Sequence, residues 1–173
     1  MSTSSGISAG LVGDFKQEAA NSRRYLESVP LDQADWKPHD KSMALGQLAG
    51  HIAEMGSWTE VMVLQDEFDL EASGGDYQPF LPTDREQLLS VFDKNVAAFV
   101  DCVEGKDDAT MTATWRMLKG GQKVMEAPRA AALRSVLIHH LIHHRGQLSV
   151  YLRLLGVPVP PIYGPTADFP DGF

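Results

Sequence analysis

The chain carries one cysteine in 173 residues, so Cys102 has no partner for an intramolecular disulfide. It reads as a small apolar residue on a helix face. An excess of positive charge is also missing. Fifteen Lys and Arg stand against 23 Asp and Glu, for a net charge of −8 at pH 7, and the isoelectric point lies near 5.1. No basic cluster interrupts that balance. A nucleic-acid backbone needs a basic surface, so nucleic acid is not an expected partner. No apolar run reaches the roughly 18–20 residues that span a bilayer, so no membrane segment is expected. The opening stretch MSTSSGISAG has neither a basic residue nor an apolar core and does not read as a signal peptide. A cytoplasmic location is the default expectation. No short-period repeat is visible.

What is present suits one globular domain spanning 1–173. Hydrophobic residues make up 43% and charged residues 22%, both ordinary for a globular chain, and the length can bury a core without staples. Residues 1–8 are small and polar and are expected to fray. A first helix is expected over 9–28, with Leu11, Phe15, Ala19, Ser22 and Leu26 on its inward stripe and Pro30 ending it. In the connector that follows, Trp36 is placed to plug the end of the helix packing. A second helix is expected over 43–65, capped by Ser42. Residues 67–82 are acidic and rich in Gly and Pro and read as a loop or lid. A third helix follows, capped by Thr83 with Glu86 completing a capping box, and ends near Gly105. Residues 111–126 look extended, with a marginal hairpin turning at Gly120-Gly121. A fourth helix starts at Pro128 and runs to about Leu155, where Gly156 stops it. The Pro-rich tail 157–173 should pack over the helices. This pattern predicts an all-α fold, a four-helix bundle with long connectors.

Four of the six histidines fall in HHLIHH, residues 139–144. The run contains two pairs at i, i+4: His139 with His143, and His140 with His144. Residues four apart stack on one helix face, where two imidazoles can reach one metal ion at about 2.0–2.1 Å. At about 100° per residue, His140 and His144 align with Leu133, Leu137, Leu148, Tyr151 and Leu155, the inward stripe. His139 and His143 then look toward a seam or a second chain. His51 is the single histidine of the second helix and faces inward. Alone it reads as a core histidine; beside an i, i+4 pair it becomes the third ligand. Three imidazoles make an open site rather than a closed structural one, and they do not select among Zn, Ni, Fe and Cu. Glu54, one turn from His51, is either a solvated surface residue or the group that orients His51 or acts as a general base. The Tyr151 hydroxyl either reaches the site or belongs to the core. Arg145 reads as a surface arginine or one half of a salt bridge, and Gln147 as a buried amide bonded to backbone. Ile138 and Ile142 lie off the inward line, which predicts a homodimer unless another segment covers them.

The segments Trp36-Lys37-Pro38, SMALGQLAGHIAEM around His51, and HHLIHHRGQLSVYLRLLGVPVP with the following Ile162-Tyr163-Gly164-Pro165 resemble the DinB family of DinB/YfiT-like metalloenzymes. The match covers most of the chain, and H-x3-H-R-G-Q with an upstream histidine is fairly specific. The resemblance implies an up-down-down-up four-helix bundle, often dimeric. It also implies a divalent ion, zinc or nickel, held by His51, His140 and His144. Some relatives are thiol-dependent S-transferases or a maleylpyruvate isomerase that uses low-molecular-weight thiols. The expected function is therefore a metal-dependent enzyme that uses a thiol cosubstrate against a small electrophile. The alternatives are a metal-dependent hydrolase and a non-catalytic metal-binding stress-response protein.

Overall fold

The structure is a computed structural model that describes residues 6–72 and 78–172. Helix α1 spans Ile7–Glu27. All five residues of its predicted stripe are buried, and Phe15 stacks on Phe99 with ring centroids 3.8 Å apart. The helix starts earlier than the frayed segment 1–8 allowed. The Ser8 hydroxyl donates to the Lys106 carbonyl, and the Ile7 N–H donates to the Asp108 carboxylate, so two first-turn groups find partners. Residues 1–5 lie outside the described residues.

The second predicted helix is real but interrupted. Helix α2 (Leu45–Glu54) passes through a 3₁₀ turn at Met55–Trp58 into α3 (Thr59–Leu64). Close approach to α4 (Arg85–Val103) accompanies the break. A Cβ on Gly56 would lie 2.4 Å from the Asn95 carbonyl oxygen, and the Asn95 amide donates to the Ala53 carbonyl. Ser42 is not the cap. Ala44 is, and the Gln47 side chain accepts its N–H at 3.0 Å. The box at the start of α4 is likewise shifted by one residue. Asp84 accepts from the Gln87 N–H, and Gln87 reaches back to the Thr83 N–H. Either register satisfies the orphan donors of a first turn.

The all-α expectation is corrected by a three-stranded sheet in the order β1-β2-β3. Strands β2 (Thr114–Lys119) and β3 (Gln122–Pro128) form the antiparallel hairpin, turning at Gly120 and Gly121, both with positive φ. Strand β1 (Glu67–Asp69) lies parallel to β2, inside the stretch expected to be a loop; residues 73–77 of that stretch lie outside the described residues. Asp69 then fastens the hairpin. Its carboxylate accepts the N–H groups of Gly120 and Gly121 at 2.9 and 2.7 Å. These bonds, with one from Glu71, hold its carboxyl below the usual range. A lone hairpin is marginal; a third strand and a charged staple make this one stable. Residues before it, expected to be extended from 111, instead form the short helix α5 (Asp108–Thr112).

Pro128 closes β3 and caps α6 (Arg129–Leu133). A π turn (Arg134–His139) then leads into α7 (His140–Leu154), so one helical rod runs from Arg129 to Leu154. Gly156, at φ +71°, ends it as expected. Helices α1 and α2 both pack against α4 and α7. The tail lies across α1: the Tyr25 hydroxyl donates to the Pro160 carbonyl and Arg24 to the Pro161 carbonyl. Ile138 is buried and Ile142 half-buried, the latter beside Pro160 and Ile162 of the tail. Of the two alternatives for these isoleucines, the structure shows the second: the protein's own elements cover them. No helix among the described residues is long and apolar enough to cross a membrane.

Candidate functional site

His51 stands in the last turn of α2, His140 and His144 in the first two turns of α7. Packing of α2 on α7 brings the three rings together. Centroids lie 4.6 Å apart for His51 and His144, 5.2 Å for His51 and His140, and 4.5 Å for His140 and His144. One ligand nitrogen from each falls within 4.8 Å of the others, a grouping that can hold a metal ion. His139 and His143 are exposed and do not join it.

Each ring is oriented from behind. His51 Nδ1 lies 3.5 Å from the Glu54 carboxylate. His140 Nδ1 donates to the Val136 carbonyl at 3.3 Å, and His144 Nδ1 meets the Gln147 carbonyl oxygen at 2.7 Å. A carbonyl oxygen only accepts, so in both α7 rings Nδ1 carries the proton and Nε2 carries the lone pair. The Nε2 atoms of His140 and His144 are 2.7 Å apart. Two lone pairs facing at that distance repel unless a cation or proton lies between them. Burial pushes the His144 imidazole down to about 4. Burial first, then neighbouring His51, lowers His140 as well. Both rings are therefore neutral donors at pH 7.

Glu54 is buried, 8% exposed, which corrects its reading as a solvated residue. Its second oxygen accepts the Phe80 N–H at 3.2 Å. That contact needs Gly50, because a Cβ there would lie 1.9 Å from the Phe80 carbonyl oxygen. Gly50→Ala is expected to push the 80–82 segment off α2, at a cost of about 1–3 kcal/mol. A lowered urea midpoint with unchanged slope would register it; an unshifted midpoint would show that the crossing yields freely.

Tyr151 is buried, but its hydroxyl donates to the Met43 carbonyl and its ring meets Trp36 edge-on at 5.6 Å. The structure thus places it in the helix-end packing with Trp36, not among the histidines. Arg145 is 3% exposed. Its guanidinium donates to the Glu18 carboxylate at 2.6 Å and the Tyr163 hydroxyl at 2.6 Å, tying α7 to α1 and the tail. Gln147 is not a buried amide on backbone, as expected, but the partner of His144. The i, i+3 spacing that offered Glu54 as the group orienting His51 recurs from His144 to Gln147, and is the signal that could have identified the second supporting group. The Val136 carbonyl and Trp58, whose ring lies 6.1 and 6.2 Å from His51 and His140, left no such signal.

A pH dependence follows. His144 ionises at about 4 in the folded chain, against an ordinary value of 6.5. Between those values the unfolded chain binds more protons, so stability rises with pH. Metal-free protein is expected to keep this contribution above about pH 6.5 and lose it as pH falls toward about 4. Melting curves in chelator across that range test it; His144→Gln should flatten the slope.

A helix-rich chain with a small sheet and a three-histidine cluster between two helices is the class that fold and site define. The chain belongs to the DinB family, whose model matches residues 1–171. It is 26% identical over 153 residues to the uncharacterized protein YrdA of Bacillus subtilis, covering 87% of this chain and 84% of that one. Its fold is similar to that of a DinB-like protein from Bacillus cereus, with a TM-score of 0.67 at 21% identity over 90% of this chain and 97% of the other. The DinB-like protein YjoA of Bacillus subtilis gives a TM-score of 0.67 at 19% identity, over 89% and 97%.

Proposed function

We propose that the protein is a metal-dependent enzyme in which His51, His140 and His144 hold a divalent ion, zinc or nickel, and which joins a small thiol to an electrophile. The observation that supports this most is the pair of Nε2 lone pairs of His140 and His144 facing each other at 2.7 Å in rings that stay neutral at pH 7. That donor set fits a divalent ion. A bound ion supplies Lewis-acid chemistry, making a thiol or water beside it easier to deprotonate. The chain's own groups do the rest. Glu54 and Gln147 fix the rings of His51 and His144, as supporting partners of metal ligands do. Trp58 packs its ring beside those of His51 and His140. Three neutral ligands leave the ion's charge uncompensated, which favours an anionic thiolate over a neutral cosubstrate. We also propose a homodimer through α7, where Val150 and Leu154 remain more than half exposed.

Incubation of zinc- and nickel-loaded protein with glutathione or cysteine, plus a halo-dinitrobenzene or an epoxide, tests the chemistry. Conjugate should form only with metal, and cobalt-substituted protein should gain a sulfur-to-metal charge-transfer band with thiol. Ester hydrolysis without thiol would favour the hydrolase instead. Neither activity, with no band, would leave a non-catalytic metal-binding protein.

A further inference from the structure

The run HHLIHH supplies two i, i+4 pairs, and the inner cluster uses one of them. The other pair, His139 and His143, is exposed. Backbone angles are −66° and −35° at His139, and −66° and −41° at His140. These are α-helical values, so the winding is regular from His139 to His143 although the π turn ends there. Side chains four apart on such a helix stand one above the other, with Cβ atoms about 5–6 Å apart. Among the described residues neither ring has a hydrogen bond or ion pair, and His143 has one ring contact, edge-on to His144 at 4.9 Å between centroids. The three inner rings are instead held by Glu54, Val136 and Gln147. Both outer rings are therefore free to turn toward a shared ligand. The face beside them is open. Gly146, the next residue along it, has no side chain, and a Cβ there would meet nothing within 4 Å. Val150 and Leu154, the proposed dimer contact, begin about 10 Å further along the axis. The net charge of −8 favours a cation over an anion at this surface.

We infer that His139 and His143 form a second metal site, on the surface, which takes zinc, nickel or copper as a two-imidazole chelate completed by water. Imidazole nitrogen suits these ions, whereas magnesium and calcium take oxygen ligands. Copper should bind most tightly, by the general order of divalent affinities. With two protein ligands in place of three, the outer site is the weaker one and empties on dialysis against a weak chelator. The inference does not depend on the inner cluster, because the two pairs share no ring.

Calorimetric titration with zinc of protein that has been zinc-loaded and then dialysed against a weak chelator tests it. One further equivalent should bind. In a chelate the second nitrogen binds intramolecularly, so His139→Ala and His143→Ala should each weaken this event by at least about tenfold, and the double variant should lose little more. Independent rings would instead take an ion each, and either variant would remove one ion and leave the affinity for the other unchanged. Both positions are exposed, where alanine favours the helix, so folding is not at risk. His39→Ala removes an exposed histidine outside the pair and should change nothing. Magnesium should give no binding heat. Absence of a further event at millimolar zinc, an event that survives His139→Ala or His143→Ala, the pattern of independent rings, or equal binding of magnesium would each overturn the inference. The same titration of His51→Ala protein separates the two sites: the outer event should persist where inner zinc is lost. Outer binding in an unaltered chain that holds no inner zinc would uphold the pair and count against the metal enzyme alone.

Discussion

His140→Ala and His144→Ala are each expected to lower bound zinc or nickel from about one equivalent per chain to near zero, and His51→Ala to do the same. Three nitrogens are the whole donor set among the described residues, so loss of one leaves two, short of any ordinary divalent site. His139→Ala and His143→Ala should keep full occupancy, since both rings are exposed. Glu54→Gln and Gln147→Ala should hold metal about 10–100-fold more weakly, the usual consequence of removing a ligand's supporting partner. Metal analysis after exhaustive dialysis against a weak chelator separates the three classes. An empty His143→Ala protein beside a full His144→Ala protein would refute the assignment. Circular dichroism should show all five histidine-to-alanine variants folded, because the core lies mainly in apolar residues of α1, α2, α4 and α7.

Arg145→Ala is expected to cause the largest loss of stability, about 3–5 kcal/mol, the typical cost of breaking a buried ion pair from one side. The guanidinium is 4% exposed and the Glu18 carboxylate 13%, so water cannot take the missing partner's place cheaply. The Tyr163 hydroxyl, 2.5 Å from the same carboxylate, would be left as its single remaining donor in this triad. In a chain of this size the melting temperature should fall by on the order of 10 °C. Arg145→Met with Glu18→Leu should recover most of that loss, since a well-packed apolar pair often replaces a buried salt bridge without penalty. A drop below about 1 kcal/mol in the single variant would mean that the pair behaves as an exposed one.

The helices and the three histidines were legible because both follow the 3.6-residue period. Phe15 and Phe99, or His140 and His144, take their faces from spacing alone. The sheet was legible in part: the hairpin turning at Gly120-Gly121 was read from its glycines and extended flanks, while its third strand was not. Strand β1 is three residues long, and what stabilises the hairpin is a carboxylate some fifty positions away, at Asp69. Pairing of that kind has no local pattern. The break after Glu54 was also hidden, since it depends on Asn95 approaching Gly56 across the core. Ile138 and Ile142 left two readings open, a second chain or cover from another segment, and spacing within one helix could not show that the tail reaches Ile142 beside Pro160 and Ile162. Glu54 was visible as a candidate partner of His51 from its place one turn away; Gln147 was visible as a residue but not as a partner, because a supporting group is recognised by where its carbonyl or carboxylate ends up.

The π turn before His140 also bears on what defines the register of this helix. The run HHLIHH is degenerate to a one-residue slip. One residue inserted upstream would carry His139 and His143 into the places of His140 and His144, and the paired imidazoles would be preserved. The neighbours would not survive the slip. The place of Arg145 would be taken by a histidine too short to reach Glu18, and that of Gln147 by Gly146, which has no carbonyl side chain to hold a ring. Histidines alone therefore leave two frames open. The arginine and the glutamine break the tie, acting as a phase mark that tells the helix which of its two identical pairs to turn inward.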